Sequence, residues 1–130
     1  MVELEYLLDT SCWLEWYNKT PTGLIIEKKL KNKIKYTPTA TIGELRKNIR
    51  DERFFKVKAF VLQNSETIQC DDNISEFAGQ LKKDSKNKRI GWVDFIIVST
   101  AKVKRLTVCS TDHHFNEFKK IIDIMVFEKR

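Results

Sequence analysis

The chain has 130 residues, 42% hydrophobic and 32% charged, with only four Gly and two Pro. That size and balance suit a single domain over residues 1–130 that buries a core without disulfides, and they exclude a disordered chain or a loop-rich scaffold. Lys and Arg number 24 against 18 Asp and Glu, a net charge of +6 that points toward a polyanionic partner.

Val2 to Leu8 is expected as the first strand, closing on the apolar run Tyr6-Leu7-Leu8 that suits a buried parallel strand, and stopping at Asp9-Thr10-Ser11. A helix carrying Trp13, Leu14 and Trp16 follows. Thr20-Pro21 starts another, with Pro at its first position and Leu24, Ile25 and Leu30 at helical spacing. Lys33 to Thr37 is a short second strand. Thr39 or Thr41 caps the next helix, whose stripe is Ile42, Leu45 and Ile49. Phe54 to Leu62 is a further apolar helix, which a core position or a partner-facing position explains equally well. Thr67 to Cys70 is a short strand, and Asp71-Asp72 caps a helix with Ile74, Phe77, Ala78 and Leu81 inside. Lys82 to Arg89 is a polar loop. Gly91 opens a mostly buried helix to about Lys104, with Trp92, Phe95, Ile96, Ser99 and Val103 on one face and Ile97 and Val98 elsewhere. Leu106 to Ser110 is a strand stopping at Thr111-Asp112. A short helix around Phe115 to Lys119 and a last strand, Ile124 to Phe127, complete the chain.

Strands alternating with helices argue for a parallel sheet covered on both faces. No stretch is apolar enough to span a bilayer, and the acidic start Met1-Val2-Glu3-Leu4-Glu5 lacks a signal-peptide layout. Cys12, Cys70 and Cys109 show no CxxC spacing and read as free thiols in a reducing compartment. The expectation is a soluble cytoplasmic protein with no membrane partner. Two basic clusters stand out, Lys28, Lys29, Lys31, Lys33 and Lys35, and Lys82, Lys83, Lys86, Lys88 and Arg89. They are either solvated faces or tracks for phosphates.

The informative feature is where certain acids fall. Asp9 and Asp112 each follow a strand directly, which puts them at one rim, where this fold class binds ligands. Glu44 lies near a helix start and off its apolar stripe. Asp94 lies in the first turn of an otherwise apolar helix, where a lone carboxylate is costly unless paired or bound to metal. Taken singly, Asp9 reads as a cap, Asp94 as a group favoured by the helix dipole and Asp112 as a loop residue. Four carboxylates at one rim repel each other and raise one another's pKa, a conflict that a divalent cation removes. Oxygen-only ligands suit Mg²⁺ or Mn²⁺.

These residues also carry a family resemblance. Tyr6-Leu7-Leu8-Asp9-Thr10-Ser11, with Trp13 and Glu15 after it, resembles the opening of PIN domains. Thr37-Pro38-Thr39-Ala40-Thr41-Ile42-Gly43-Glu44-Leu45 resembles their second motif, and Gly91-Trp92-Val93-Asp94-Phe95-Ile96-Ile97 their third. Leu106-Thr107-Val108-Cys109-Ser110-Thr111-Asp112-His113-His114-Phe115 resembles the fourth. The resemblance implies a Rossmann-like, three-layer α/β/α sandwich with a central, mainly parallel sheet. It implies that Asp9, Glu44, Asp94 and Asp112 surround one or two Mg²⁺ or Mn²⁺ ions and cleave RNA phosphodiesters. Thr10 and Thr111 match polar neighbours that hydrogen-bond a ligand carboxylate or a water. Many small members are toxins of the VapC type, paired with a small antitoxin and often homodimeric.

Other readings stay open at this point. They are a housekeeping RNA-processing nuclease, a non-catalytic PIN-like binding module, and a phosphotransfer protein on a related fold. The last has little support, because Ser11 stands where an Asp-x-Asp motif needs its second acid and no GxxxxGK[ST] occurs. His113 and His114 read as loop residues, and Trp13 and Trp16 as core or dimer-interface residues rather than base-stacking ones.

Overall fold

The computed structural model describes residues 3–130, so Val2 of the first expected strand lies outside the described residues. One sheet holds five parallel strands, β1 (Glu5–Leu8), β2 (Ile34–Pro38), β3 (Glu66–Ile68), β4 (Thr107–Ser110) and β5 (Ile124–Val126), in the order β3-β2-β1-β4-β5. The helices are α1 (Thr10–Tyr17), α2 (Pro21–Leu30), α3 (Thr39–Asn48), α4 (Asp51–Asn64), α5 (Asp72–Asp84) and α6 (Trp92–Lys104), with a 3₁₀ segment at His113–Phe118. Leu7 of β1 is paired with Tyr36 on one side and Val108 on the other. This is the α/β sandwich with a parallel sheet that the alternation of elements implied.

Side chains alternate across the pleat, so β1 feeds two cores. Tyr6, Leu8 and Cys109 face a cluster with Trp13, Trp16, Ile26, Leu45 and Val57. Leu7 and Val108 face a second cluster with Phe95, Ile97, Ala101 and Phe115. Trp13 and Trp16 stack at 5.3 Å with Phe60 edge-on to both, which makes them core rather than a surface for bases. α1 and α2 approach so closely that Gly23, buried in α2, lies against the backbone carbonyl of Glu15.

Local chemistry sets most helix starts. Thr20 Oγ1 accepts from Gly23 N at 3.0 Å, with Pro21 in the first turn. Asp71 accepts from Ile74 N at 2.9 Å, so Asp71 is the cap of α5 and Asp72 its first residue. Arg105 ends α6 in the left-handed region at φ 58°.

Several expectations are corrected. Neither Thr39 nor Thr41 caps α3: the helix begins at Thr39 with Pro38 before it, and Thr41 is buried inside with its Oγ1 unpartnered among the described residues. α4 starts at Asp51 rather than Phe54, because Asp51 and Glu52 suit a first turn. α5 continues to Asp84, so the polar loop begins at Ser85. Trp92 and Val103 do not line the inner face of α6, being 43% and 38% exposed. Neighbouring layers cover only the middle of that helix, Phe95 to Ala101. The segment after Asp112 is 3₁₀ and starts at His113 rather than near Phe115, since the Asp112 side chain caps it. No helix of the described residues is long and apolar enough to cross a membrane.

Candidate active site

The strand order reverses between β1 and β4. β1, β2 and β3 run outward to one side, and β4 and β5 to the other. Loops at the carboxyl ends of strands diverge at such a switch point and leave a crevice. Asp9 follows β1 there and Asp112 follows β4 two residues on.

Asp9 is the best-anchored acid. Its backbone N donates to Cys109 O at 3.1 Å, and its side chain caps α1. Oδ1 accepts from Ser11 Oγ at 2.7 Å and from Cys12 N at 3.0 Å, and Oδ2 accepts from Ser110 Oγ at 2.5 Å. The same two hydroxyls bind the facing loop: Ser11 Oγ accepts from Thr111 N at 3.1 Å, and Ser110 Oγ from Asp112 N at 2.9 Å. Ser11 and Ser110 thus weld the two strand-end loops around one carboxylate. Burial pushes the Asp9 carboxyl above its ordinary range, against the lowering effect of these hydrogen bonds, and Asp94 pushes it further.

Asp94 is the common neighbour of the other acids. Its carboxyl is raised first by burial, is lowered by His114, and is raised again by Glu44 and Asp112. His114 Nε2 lies 3.0 Å from Asp94 Oδ2, a close contact not aligned as a hydrogen bond. Its Nδ1 lies 2.6 Å from Asp112 Oδ1. The ring therefore bridges two acids, and its backbone N also donates to Asp112. Glu44 is held from another side, where Thr10 Oγ1 donates to Oε1 at 2.8 Å. Thr111 joins through its backbone N–H.

A cleft of about 400 Å³ opens over Asp9, Asp94, Asp112 and His114, with Lys129 at its edge. Glu44 lies outside its lining. Larger clefts lie elsewhere, one of about 490 Å³ beside Tyr36, but none of those collects the acids. Cys12 and Cys109 are buried beside Asp9, and burial pushes both thiols up, so they stay neutral and inert in the fold.

A family model of the PIN domain matches residues 6–121. The chain belongs to the PIN-domain family. No curated protein matches it. Among solved structures, this PIN domain is similar to a chain of the VapBC2 complex from Rickettsia felis bound to a DNA fragment from its promoter. That match has 18% identity and a TM-score of 0.75, covering 96% of this chain and 100% of that one. A toxin–antitoxin complex from Klebsiella pneumoniae gives 15% identity and a TM-score of 0.76, covering 96% and 99%. VapC20 from Mycobacterium tuberculosis, described as a sarcin–ricin loop cleaving toxin, gives 15% and 0.69, covering 86% and 93%. At these identities the likeness establishes a shared VapC-like fold.

Whether this PIN domain's acids suit a divalent cation can be tested on the donor set. All are hard oxygen donors, and burial together with mutual repulsion raises two of them, an imbalance that a cation offsets. As arranged, no three His, Cys, Asp or Glu side chains among the described residues are grouped to hold an ion. Asp94 and Asp112 are engaged by His114, and Glu44 by Thr10. The donor chemistry fits, in an open arrangement.

Three residues near the acids were not singled out by the sequence. Ser11 and Ser110 had a signal, a Ser beside each rim acid. Lys129 had none, because only folding brings residue 129 to this rim. His114, read as a loop residue, joins the acids because the 3₁₀ turn aims it back at α6. Ser110→Ala removes a donor to Asp9 and an acceptor for Asp112 N at once. It is expected to cost about 2–3 kcal/mol, read as a lower urea midpoint.

Proposed function

We propose that the chain is a Mg²⁺- or Mn²⁺-dependent endoribonuclease, the toxin of a VapBC-type pair. The carrying observation is the cleft at the switch point lined by Asp9, Asp94 and Asp112, in a PIN domain of net charge +6. Asp9, Glu44, Asp94 and Asp112 would hold the cation. A bound divalent cation supplies charge that offsets the carboxylates and Lewis acidity toward a phosphodiester.

The chain's own groups do the rest. Ser11, Ser110 and the Cys12 N–H fix Asp9, and Thr10 fixes Glu44. Asp94, half-buried in the cleft beside the other acids, accepts a proton from the attacking water. His114, with a ring nitrogen toward Asp94 and another toward Asp112, holds both in register. Lys129 at the cleft edge meets the phosphate charge. Water adds to phosphorus and gives up a proton to Asp94, the bond to the departing ribose oxygen breaks, and that oxygen takes up a proton from solvent.

The proposed partners are RNA, a small antitoxin and a second copy of the chain. The similarity to toxin–antitoxin complexes supports the antitoxin. The outer side of α4, with Phe55 58% and Leu62 45% exposed, offers apolar surface for protein contact. The purified chain is expected to cut single-stranded RNA in Mn²⁺, to stop when EDTA is added and to resume when Mn²⁺ is restored. Cleavage that persists unchanged in EDTA excludes the metal-dependent reading.

A further inference from the structure

We propose that a basic pocket on the opposite rim of the sheet binds backbone phosphates of the same polynucleotide strand that enters the acid cleft. This rests on the nuclease reading for its ligand but on a separate set of residues for its existence. The pocket, about 270 Å³, is bounded by Lys102 and Arg105 at the end of α6 and by Lys119 and Lys120 after the 3₁₀ segment, with Asp123 as its one acid. These elements precede β4 and β5, whereas the acids follow β1 and β4, so the two sites lie at opposite ends of the strands.

Three observations favour a phosphate ligand. First, four cations face one carboxylate, and among the described residues none of the four forms an ion pair. Four cations beside a single carboxylate leave a net positive charge, which attracts an anion.

Second, the cations sit on hydrogen-bonded turns. Arg105 and Leu106 both donate their backbone N–H to Ala101 O, and the left-handed Arg105 fixes the turn. Lys119 N donates to Asn116 O, and Ile121 N and Ile122 N donate to Phe118 O. The guanidinium and three ammonium groups are thus carried on a defined frame.

Third, the 3₁₀ segment joins the two sites directly. His113 and His114 stand at its start beside the acids, and Lys119 and Lys120 follow its end. At about 2 Å per residue the segment spans roughly 12 Å, a short run of nucleotides. The one acid on that segment, Glu117, accepts a hydrogen bond from Asn87 Nδ2. An acidic peptide would satisfy the charge, but the regular phosphates of a strand already held at the acid cleft satisfy charge and span together.

The test is binding of a labelled 16-nucleotide single-stranded RNA in EDTA, where no cleavage occurs, across a salt series. Wild type is compared with Lys102→Gln/Arg105→Gln/Lys119→Gln/Lys120→Gln and with a control of equal charge loss, Lys28→Gln/Lys29→Gln/Lys31→Gln/Lys33→Gln. The pocket variant is expected to bind about tenfold more weakly at low salt, with a log–log salt slope shallower by about 0.7 for each phosphate no longer neutralised. The control should change less in both, and cleavage of a tetranucleotide in Mn²⁺ should stay at the wild-type rate. If the fourfold variant melts early by circular dichroism, Lys119→Gln/Lys120→Gln is expected to show about half the slope change. Unchanged affinity and slope, or an equal fall in the control, overturns the pocket and leaves the nuclease reading standing. Displacement of the RNA by polyglutamate as effectively as by unlabelled RNA overturns the assignment to a polynucleotide. A pocket-dependent slope in a chain that cuts no RNA sustains the pocket and removes the nuclease reading.

Discussion

Asp94→Asn is expected to lower RNA cleavage by about 10²–10⁴-fold while raising the thermal midpoint at neutral pH. Both halves follow from one environment. Asp94 is half-buried in the first turn of α6, and its carboxyl is raised by burial, Glu44 and Asp112 more than His114 lowers it. A carboxylate whose folded pKa lies above its unfolded value favours the fold only while protonated. That advantage is lost as pH rises from the ordinary carboxylate range through the raised folded pKa, so the ionised form at neutral pH weighs against folding. Asn is isosteric and neutral and removes that penalty along with the proposed proton acceptor. The melting difference between variant and wild type should therefore close as pH falls below about 4. A variant that loses activity and also melts much lower at neutral pH would mark Asp94 as structural.

The largest expected effect on stability lies in α2, away from the acids. A Cβ on Gly23 would fall 1.8 Å from Glu15 O, 2.4 Å from Glu15 C and 2.9 Å from Trp16 N. All three atoms are backbone of α1, so no side chain can swing aside, and the helices must part. Parting them unseats Trp13 and Trp16 from their aromatic cluster and shifts the helix that Asp9 caps. Gly23→Ala is expected to cost about 3 kcal/mol or more, read as a lower urea midpoint at unchanged slope. Gly79→Ala is the matched control. Its Cβ meets nothing within 4 Å, and in mid-helix it should stabilise by about 0.5–1 kcal/mol.

How much of this was legible before folding depended on whether the signal was local. The acids at the rim were legible for Asp9 and Asp112, because each terminates an apolar run and strand ends in a parallel sheet share a side. Asp94 was legible because a charge in the first turn of Phe95-Ile96-Ile97-Val98 conflicts with its neighbours. Glu44 depended on family likeness, since its position off a stripe suits any solvated acid. Helix starts with an Asx or Thr cap, at Thr20 and Asp71, were readable. The start of α3 was misread because Thr39 and Thr41 look like caps, whereas Pro38 occupies the turn and Thr41 is buried. Trp92 and Val103 fit a stripe at helical spacing, yet spacing does not tell where neighbouring layers stop. His114 and Lys129 were illegible because their contacts depend on how a 3₁₀ turn and the segment after β5 are aimed, which are tertiary facts.

The central place of β1 carries a kinetic consequence. β1 is made well before its partner: its β4 neighbour and the Ser110 hydroxyl that completes the cradle of Asp9 lie about a hundred positions on, at a separation of 101 for that hydrogen bond. A chain emerging from the ribosome therefore carries β1 with one edge unpaired until about a hundred further residues have been made, an arrangement that slows folding and invites wrong pairing. Asp112 joins the other acids only once β4 has docked. The acid cluster is thus a late product of folding, and a chain truncated before Ser110 has neither the cradle of Asp9 nor the fourth acid.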